Sequence, residues 1–148
     1  MTEEPTLTDR QIPPAFIRCF QSDCPQAKTC IRFLAGKHVP ADKICGHAVF
    51  PTARTGSTCK MYRPTRIIRA AHGFTALFAN VKQKDDTPLR RRIMEYLGGR
   101  STYYRYHHGE RLLTPEQQEW ILSLFRQAGY TEELRFDSYQ DTYDLSQA

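Results

Sequence analysis

The sequence predicts a mainly α protein, α with little β, in which a loop-rich cysteine-cluster region at the N-terminal side packs on a helical C-terminal region. Three observations carry that expectation. Apolar residues in the C-terminal half recur at helical spacing. Glycine and proline punctuate those runs where helices stop and start. All five cysteines fall between residues 19 and 59, in the stretch with the least periodicity.

Residues 1–14 read as a flexible N-terminus that ends at Pro13–Pro14. The apolar run AFIRCF at 15–20 suits a strand or an extended arm. Pro25 suits a first helical position, and Ala27, Cys30, Ile31 and Leu34 then repeat at i, i+3, i+4, i+7 before Gly36. That spacing predicts a short amphipathic helix with Cys30 on its apolar face. Residues 37–65 are irregular, broken by Pro40, Gly46, Pro51 and Gly56 ahead of Pro64, and only AVF at 48–50 looks like strand. A loop this long in a small domain needs something else to organise it, and a metal bound by cysteines on either side would do so.

From Arg66 the composition changes. RIIRAAHGFTALFANV carries helical spacing at Phe74, Leu77, Phe78 and Val81, with Gly73 delaying the start. The next helix is expected to be capped by Asp86 or Thr87, to begin at Pro88, to bury Leu89, Ile93, Tyr96 and Leu97, and to stop at Gly98. Ser101 can cap a short helix, TYYRYHH, closed by Gly109. Thr114-Pro115-Glu116-Gln117 is a capping box, followed by an Ile121, Leu124, Phe125, Ala128 stripe and a stop at Gly129. The acidic, tyrosine-rich tail RFDSYQDTYDLSQA adds one short turn or strand. The resulting division is a flexible N-terminus at 1–14, a cysteine-rich metal-site region at 15–64, and a helical region at 65–148 that forms one compact unit with it.

Composition narrows the function classes. With 40% hydrophobic and 25% charged residues, the 148-residue chain is not of the disordered type and fits one domain or two very small ones. No apolar run approaches the ~18 residues of a membrane helix, so no membrane partner is expected. The opening MTEEPTLTDRQIPP lacks a positive segment and an apolar core, so it does not read as a secretory signal, and a cytoplasmic location is expected. In that reducing compartment clustered thiols bind metal or do chemistry more often than they form disulfides. Charge is unevenly spread: residues 1–60 carry 8 basic and 5 acidic groups, residues 61–115 carry 11 and 4, and residues 116–148 carry 2 and 7. The basic middle suits an anionic partner, or a solvated face screened by the acidic end.

CFQSDCPQAKTC sets Cys19, Cys24 and Cys30 in a C-x4-C-x5-C pattern, with Cys45 and Cys59 following. Four thiolates satisfy tetrahedral Zn²⁺ or an iron–sulfur cluster, and the spacing matches neither class in particular. Cys19, Cys24, Cys30 and Cys59 are the expected ligands: the first two flank a turn, the third lies about a helical turn on, and the last returns after the long loop. Cys45 is the spare, and His47 is the best histidine alternate. The bland reading leaves Cys30 a buried small hydrophobe and the others inert thiols.

Together, C-x4-C-P-x4-C-I-R, the later CKMY, and YYRYHHGERLLTPEQQEWI resemble a small family of uncharacterised bacterial proteins of Bacteroidales type, from Cys19 to the FDSY tail. The resemblance implies no activity. It implies Cys19, Cys24, Cys30 and Cys59 as the recurring set.

Residues 93–109, IMEYLGGRSTYYRYHHG, are similar to the helix-turn-helix of Cro-type and lactose-repressor-type domains. That similarity puts Gly98 at the turn and Tyr104 at a buried position of the second helix. It implies that Arg100, Thr102, Tyr103 and Arg105 lie near DNA, with Arg111 and the run Arg90, Arg91, Arg92 on phosphates. The plainer reading is a three-helix packing unit with tyrosines inside and arginines outside. Unpaired RNA on the same basic, tyrosine-rich surface is a further option.

No enzyme is expected. The chain has no phosphate loop, no GxSxG and no HExxH. Cys45 and His47 need not face each other, and His107 and His108 point about 100° apart if helical. Asp85–Asp86 suits a helix start. No small-molecule substrate is evident. The leading expectation is a small cytosolic, non-enzymatic protein with a structural four-cysteine metal site and a basic helical surface for an unknown protein or nucleic acid. The alternatives are a helix-turn-helix-like DNA-binding regulator and a thiol/metal redox-responsive protein.

Overall fold

Backbone pairing between distant segments, rather than helical propensity alone, decides much of this architecture. A computed structural model describes residues 4–146 and falls into two units. The first runs to Ile67 and takes in the tail from Thr142, and the second spans Ile68–Asp141.

In the first unit, residues 29–31 are drawn out of a helix by a partner strand of chain. Ile31 N–H donates to the Arg63 carbonyl at 2.8 Å, and Thr65 N–H donates to the Thr29 carbonyl at 2.9 Å. Cys30 is therefore extended, with φ −96° and ψ 124°, and bridges Pro64. The expected helix from Pro25 is cut in two: a 3-10 turn at Ala27–Thr29, then α1 at Ile31–Gly36. AFIRCF and AVF meet in a single parallel bridge between Arg18 and Ala48 and form no longer strand. After a 3-10 turn at Pro51–Ala53, β1 (Arg54–Thr55) and β2 (Thr58–Cys59) make a tight hairpin with Arg54 opposite Cys59. Leu7, Ile12, Phe16, Ile31 and Ala35 are the buried core. Leu7 and Ile12, within the stretch 1–14 expected to be a flexible N-terminus, are buried in this core.

The second unit begins with most of β3 (Ile67–His72), which pairs antiparallel with β4 (Ser138–Tyr143). Ile68 and Ala70 are buried while Ile67 and Arg69 are exposed, the two-residue period of a half-buried strand. Helices α2 (Thr75–Phe78), α3 (Gln83–Leu97), α4 (Arg100–His108) and α5 (Pro115–Gln127) follow. Phe74, Ile93, Tyr103, Leu113, Ile121 and Phe125 lie at its centre. Phe74 and Tyr103 stack with centroids 4.7 Å apart.

The fold is therefore mixed α and β, with two small antiparallel sheets, and not mainly α. The expectation missed RIIRAAH and the tail because each strand becomes stable only on the other, far along the chain. Helix α3 also starts earlier than expected. It begins at Gln83, so Pro88 sits inside it and neither Asp86 nor Thr87 caps it. The Tyr130 hydroxyl accepts from Lys82 N–H at 3.0 Å and donates to Asp85 at 2.6 Å, fixing this early start from outside the helix. Helix α4 follows Gly99 directly, which makes Ser101 a helical residue and not its cap. Helix α5 starts as its capping box requires: Thr114 Oγ accepts from Gln117 N–H at 3.2 Å, and Gln117 Oε1 accepts from Thr114 N–H at 2.9 Å.

Candidate metal centre

Four separate segments of the first unit each deliver one thiol to the same place. Cys19 follows the Arg18 bridge, and its N–H donates to the Arg32 carbonyl at 2.9 Å. This strand of chain runs so close to α1 that a Cβ at Gly36 would collide with the Cys19 carbonyl. Cys24 closes a turn on the Gln21 carbonyl at 3.1 Å, just ahead of Pro25. Cys30 precedes α1 in the extended conformation set by Pro64. Cys59 ends the hairpin, and its carbonyl accepts from Tyr62 N–H at 3.3 Å.

All four side chains line one small cavity of about 20 Å³, together with apolar neighbours such as Val49 and Met61. No histidine or carboxylate lines it. Cys30 is buried and the other three are half-buried. Burial pushes the Cys19 thiol upward, and the charges of Cys30, Cys24 and Cys59 push it the same way, against a lowering backbone hydrogen bond at Gln21. Cys19 is thus near enough to feel each of the other three sulfurs. Even so, among the described residues no group of three or more His, Cys, Asp or Glu side chains stands ready in metal-holding geometry. The thiols share a pocket without forming a finished tetrahedron.

Two arginines lie at this cluster: Arg32, in the sequence only the end of the C-I-R motif, and Arg54. Arg32 is 3% exposed. Its Nε donates to the Met61 carbonyl at 2.8 Å and its Nη1 to the Ile17 carbonyl at 3.1 Å. It therefore ties the segment bearing Cys19 to the segment bearing Cys59, and its charge acts on Cys30 and Cys59. Arg54 pairs with Asp23 at 3.0 Å, and its charge also acts on Cys24. A tetrathiolate site around a divalent ion carries two net negative charges, which nearby guanidinium groups offset. The residue types fit a soft divalent metal. Arg32 follows Cys30-Ile31 in sequence, but nothing in a single arginine there signals burial.

Cys45 and His47 stand outside this cavity. Both are exposed, and both line a separate cavity of about 410 Å³ with Phe16, Arg18, Phe20 and Lys43.

The residues expected at a nucleic-acid surface divide into two groups. Arg91, Arg92, Arg100 and Arg105 are exposed, and Thr102 and Arg111 are half-buried. Arg90 and Tyr103 are used internally. Arg90 holds Asp86 at 2.6 Å, donates to the Tyr103 hydroxyl at 3.2 Å and lies over the Phe78 ring at 4.1 Å. Tyr103 is 1% exposed and Tyr104 38% exposed, the reverse of what the helix-turn-helix similarity required. The buried face of α4 is set by Phe74, which stacks on Tyr103, and this turns the next tyrosine outward.

The match to known families covers nearly the whole chain, spanning residues 1–145. The chain belongs to a family of unknown function, DUF6078. This agrees with the resemblance to an uncharacterised family, at that coarser level. Membership of DUF6078 assigns neither an activity nor a ligand. No curated protein and no solved structure matches the chain. Among the described residues no helix is long and apolar enough to cross a membrane.

Proposed function

We propose that the first unit is a metal-organised module in which Cys19, Cys24, Cys30 and Cys59 hold one Zn²⁺, and that the protein works by binding a partner and not by catalysis. The observation that carries this reading is the convergence of four thiols, from four segments of the chain, on one cavity. Zn²⁺ is the proposed occupant because four thiolates alone close the tetrahedral shell of a structural zinc site, and metal analysis decides between it and an iron–sulfur cluster. The bound ion would cross-link the segments around the long loop. Cys45, exposed and outside the cavity, takes no part.

Metal analysis of the purified full-length protein tests the proposal. The expected result is about one equivalent of zinc, lost in Cys19→Ser, Cys24→Ser, Cys30→Ser and Cys59→Ser and kept in Cys45→Ser. Less than about half an equivalent of any metal, with all thiols titratable, overturns it. A brown protein with visible absorption replaces zinc by iron–sulfur.

A further inference from the structure

Helix α4 carries cationic and aromatic side chains together on one exposed face. Arg100, Tyr104 and His108 recur every four residues, so they share one side of the helix, and Arg105 lies beside them. All four are exposed. The Arg100 guanidinium lies 5.9 Å from the Tyr104 ring centroid, and the Tyr104 and His108 rings are 6.1 Å apart with planes only 22° from parallel. Three flat cationic or aromatic groups therefore form a ladder in water. Helix α4 itself contains no acidic residue. Tyr103, whose ring meets that of Tyr104, is fixed in the core, and Gly99 and Gly109 bound the helix at positive φ.

Which partner fits? Tyrosine and arginine also suit protein interfaces, but this face offers no aliphatic side chain to fill a buried centre. Duplex DNA is read by side chains that reach base edges, yet Arg90 and Tyr103 are already engaged within the unit. Unpaired bases need stacking surfaces and cations for their phosphates, and those are the groups on display. The spacing of about 6 Å between the near-parallel Tyr104 and His108 rings approaches twice the ~3.4 Å spacing along a strand, so a slight opening admits one base between them. We infer that the α4 face formed by Arg100, Tyr104, Arg105 and His108 is a binding site for single-stranded nucleic acid. Tyr104 and His108 stack with bases, and Arg100 and Arg105 hold the phosphates. This site lies wholly in the second unit and does not depend on the metal proposal.

Fluorescence anisotropy with a labelled oligouridylate tests it, using the full chain, with the matching oligothymidylate and a duplex of mixed sequence as further arms. The expected result is binding of one or both single strands, several-fold tighter than the duplex, and weakening as salt rises. Tyr104→Ala should weaken binding about tenfold, and Tyr104→Phe should restore it. Arg105→Ala should reduce the slope of log K against log salt by about 0.7, the loss of one phosphate contact. These side chains are exposed, so the circular dichroism of each variant should match the parent. RNA against DNA preference assigns the source of the strand. Absence of single-strand binding, equal or tighter binding of the duplex, or an unchanged affinity in Tyr104→Ala overturns the inference. Binding of a protein but no oligonucleotide does so equally.

Discussion

His107 Nδ1 accepts the Phe74 backbone N–H at 3.1 Å, which only the neutral ring can do. Burial lowers the pKa of this histidine most, the neighbouring His108 lowers it further, Asp137 opposes the shift, and Arg90 and His72 add to the lowering. The sign of the consequence follows. In the unfolded chain the group takes a proton near its ordinary value of about 6.5, whereas the folded state resists until lower pH. The stabilisation is complete above that ordinary value and is lost as pH falls through the lowered folded value. Urea melts at pH 7.5 and pH 5.5 should therefore show a lower midpoint in acid. In His107→Gln, which keeps an acceptor but does not titrate, that fall should be smaller. Equal pH dependence in the two proteins would remove His107 from the account.

At the scale of elements, α2 shows how a short helix is stabilised from outside its own sequence. Its first residues lack a local cap. The Asp137 carboxylate accepts instead from Thr75 N–H at 3.0 Å and Ala76 N–H at 2.6 Å, while its own N–H donates to the Gly73 carbonyl at 3.1 Å. Gly73 has φ +87°, and a Cβ there would collide with the Asp137 side chain. Asp137→Ala should cost about 1–2 kcal/mol, the value of a lost N-cap, with Asp137→Asn recovering most of it. Gly73→Ala should cost at least as much, since it adds left-handed strain of ~1–2 kcal/mol to the collision. Chemical denaturation measures both, and a change below about 0.5 kcal/mol in either would contradict the clamp, being the size of an ordinary surface substitution.

The same distinction between local and distant partners explains what the sequence disclosed. Helix α5 was legible to the residue because Thr114, Pro115 and Gln117 cap it themselves. The stops at Gly98 and Gly109 were legible because left-handed glycines end helices locally. Strands β3 and β4 were not, since neither pattern reveals a partner so far along the chain. The break at Cys30 depends on Arg63 and Thr65, and the early start of α3 depends on Tyr130. For the thiols, crowding in sequence pointed to the cluster. The arginines around it became visible only in three dimensions. On α4 a one-residue shift of the buried tyrosine changed which side chains face solvent.

Across the molecule, the two units have unequal means of holding themselves together. The second has a broad core, with Phe74, Ile93, Tyr103, Leu113, Ile121 and Phe125 all nearly inaccessible. The first has a core of Leu7, Ile12, Phe16, Ile31 and Ala35, and residues 41–48 lie exposed beside it. Ion pairs such as Lys43–Asp9 at 3.4 Å and Arg54–Asp23 at 3.0 Å add little there, since exposed pairs contribute roughly 0–1 kcal/mol each. Under the proposed function, the thiolate–metal bonds supply what this apolar core lacks, because metal affinity gained only on folding is folding free energy. Removing the metal should therefore act on one unit. Amide hydrogen exchange of metal-loaded and chelator-treated protein should show protection lost around Cys19–Arg32 and Arg54–Tyr62, with helices α3, α4 and α5 keeping theirs. Loss of protection spread evenly over both units would mean that the cysteine cluster is not the local fastening of the first. Unchanged exchange in a protein shown to have lost its metal would mean that the small core suffices alone.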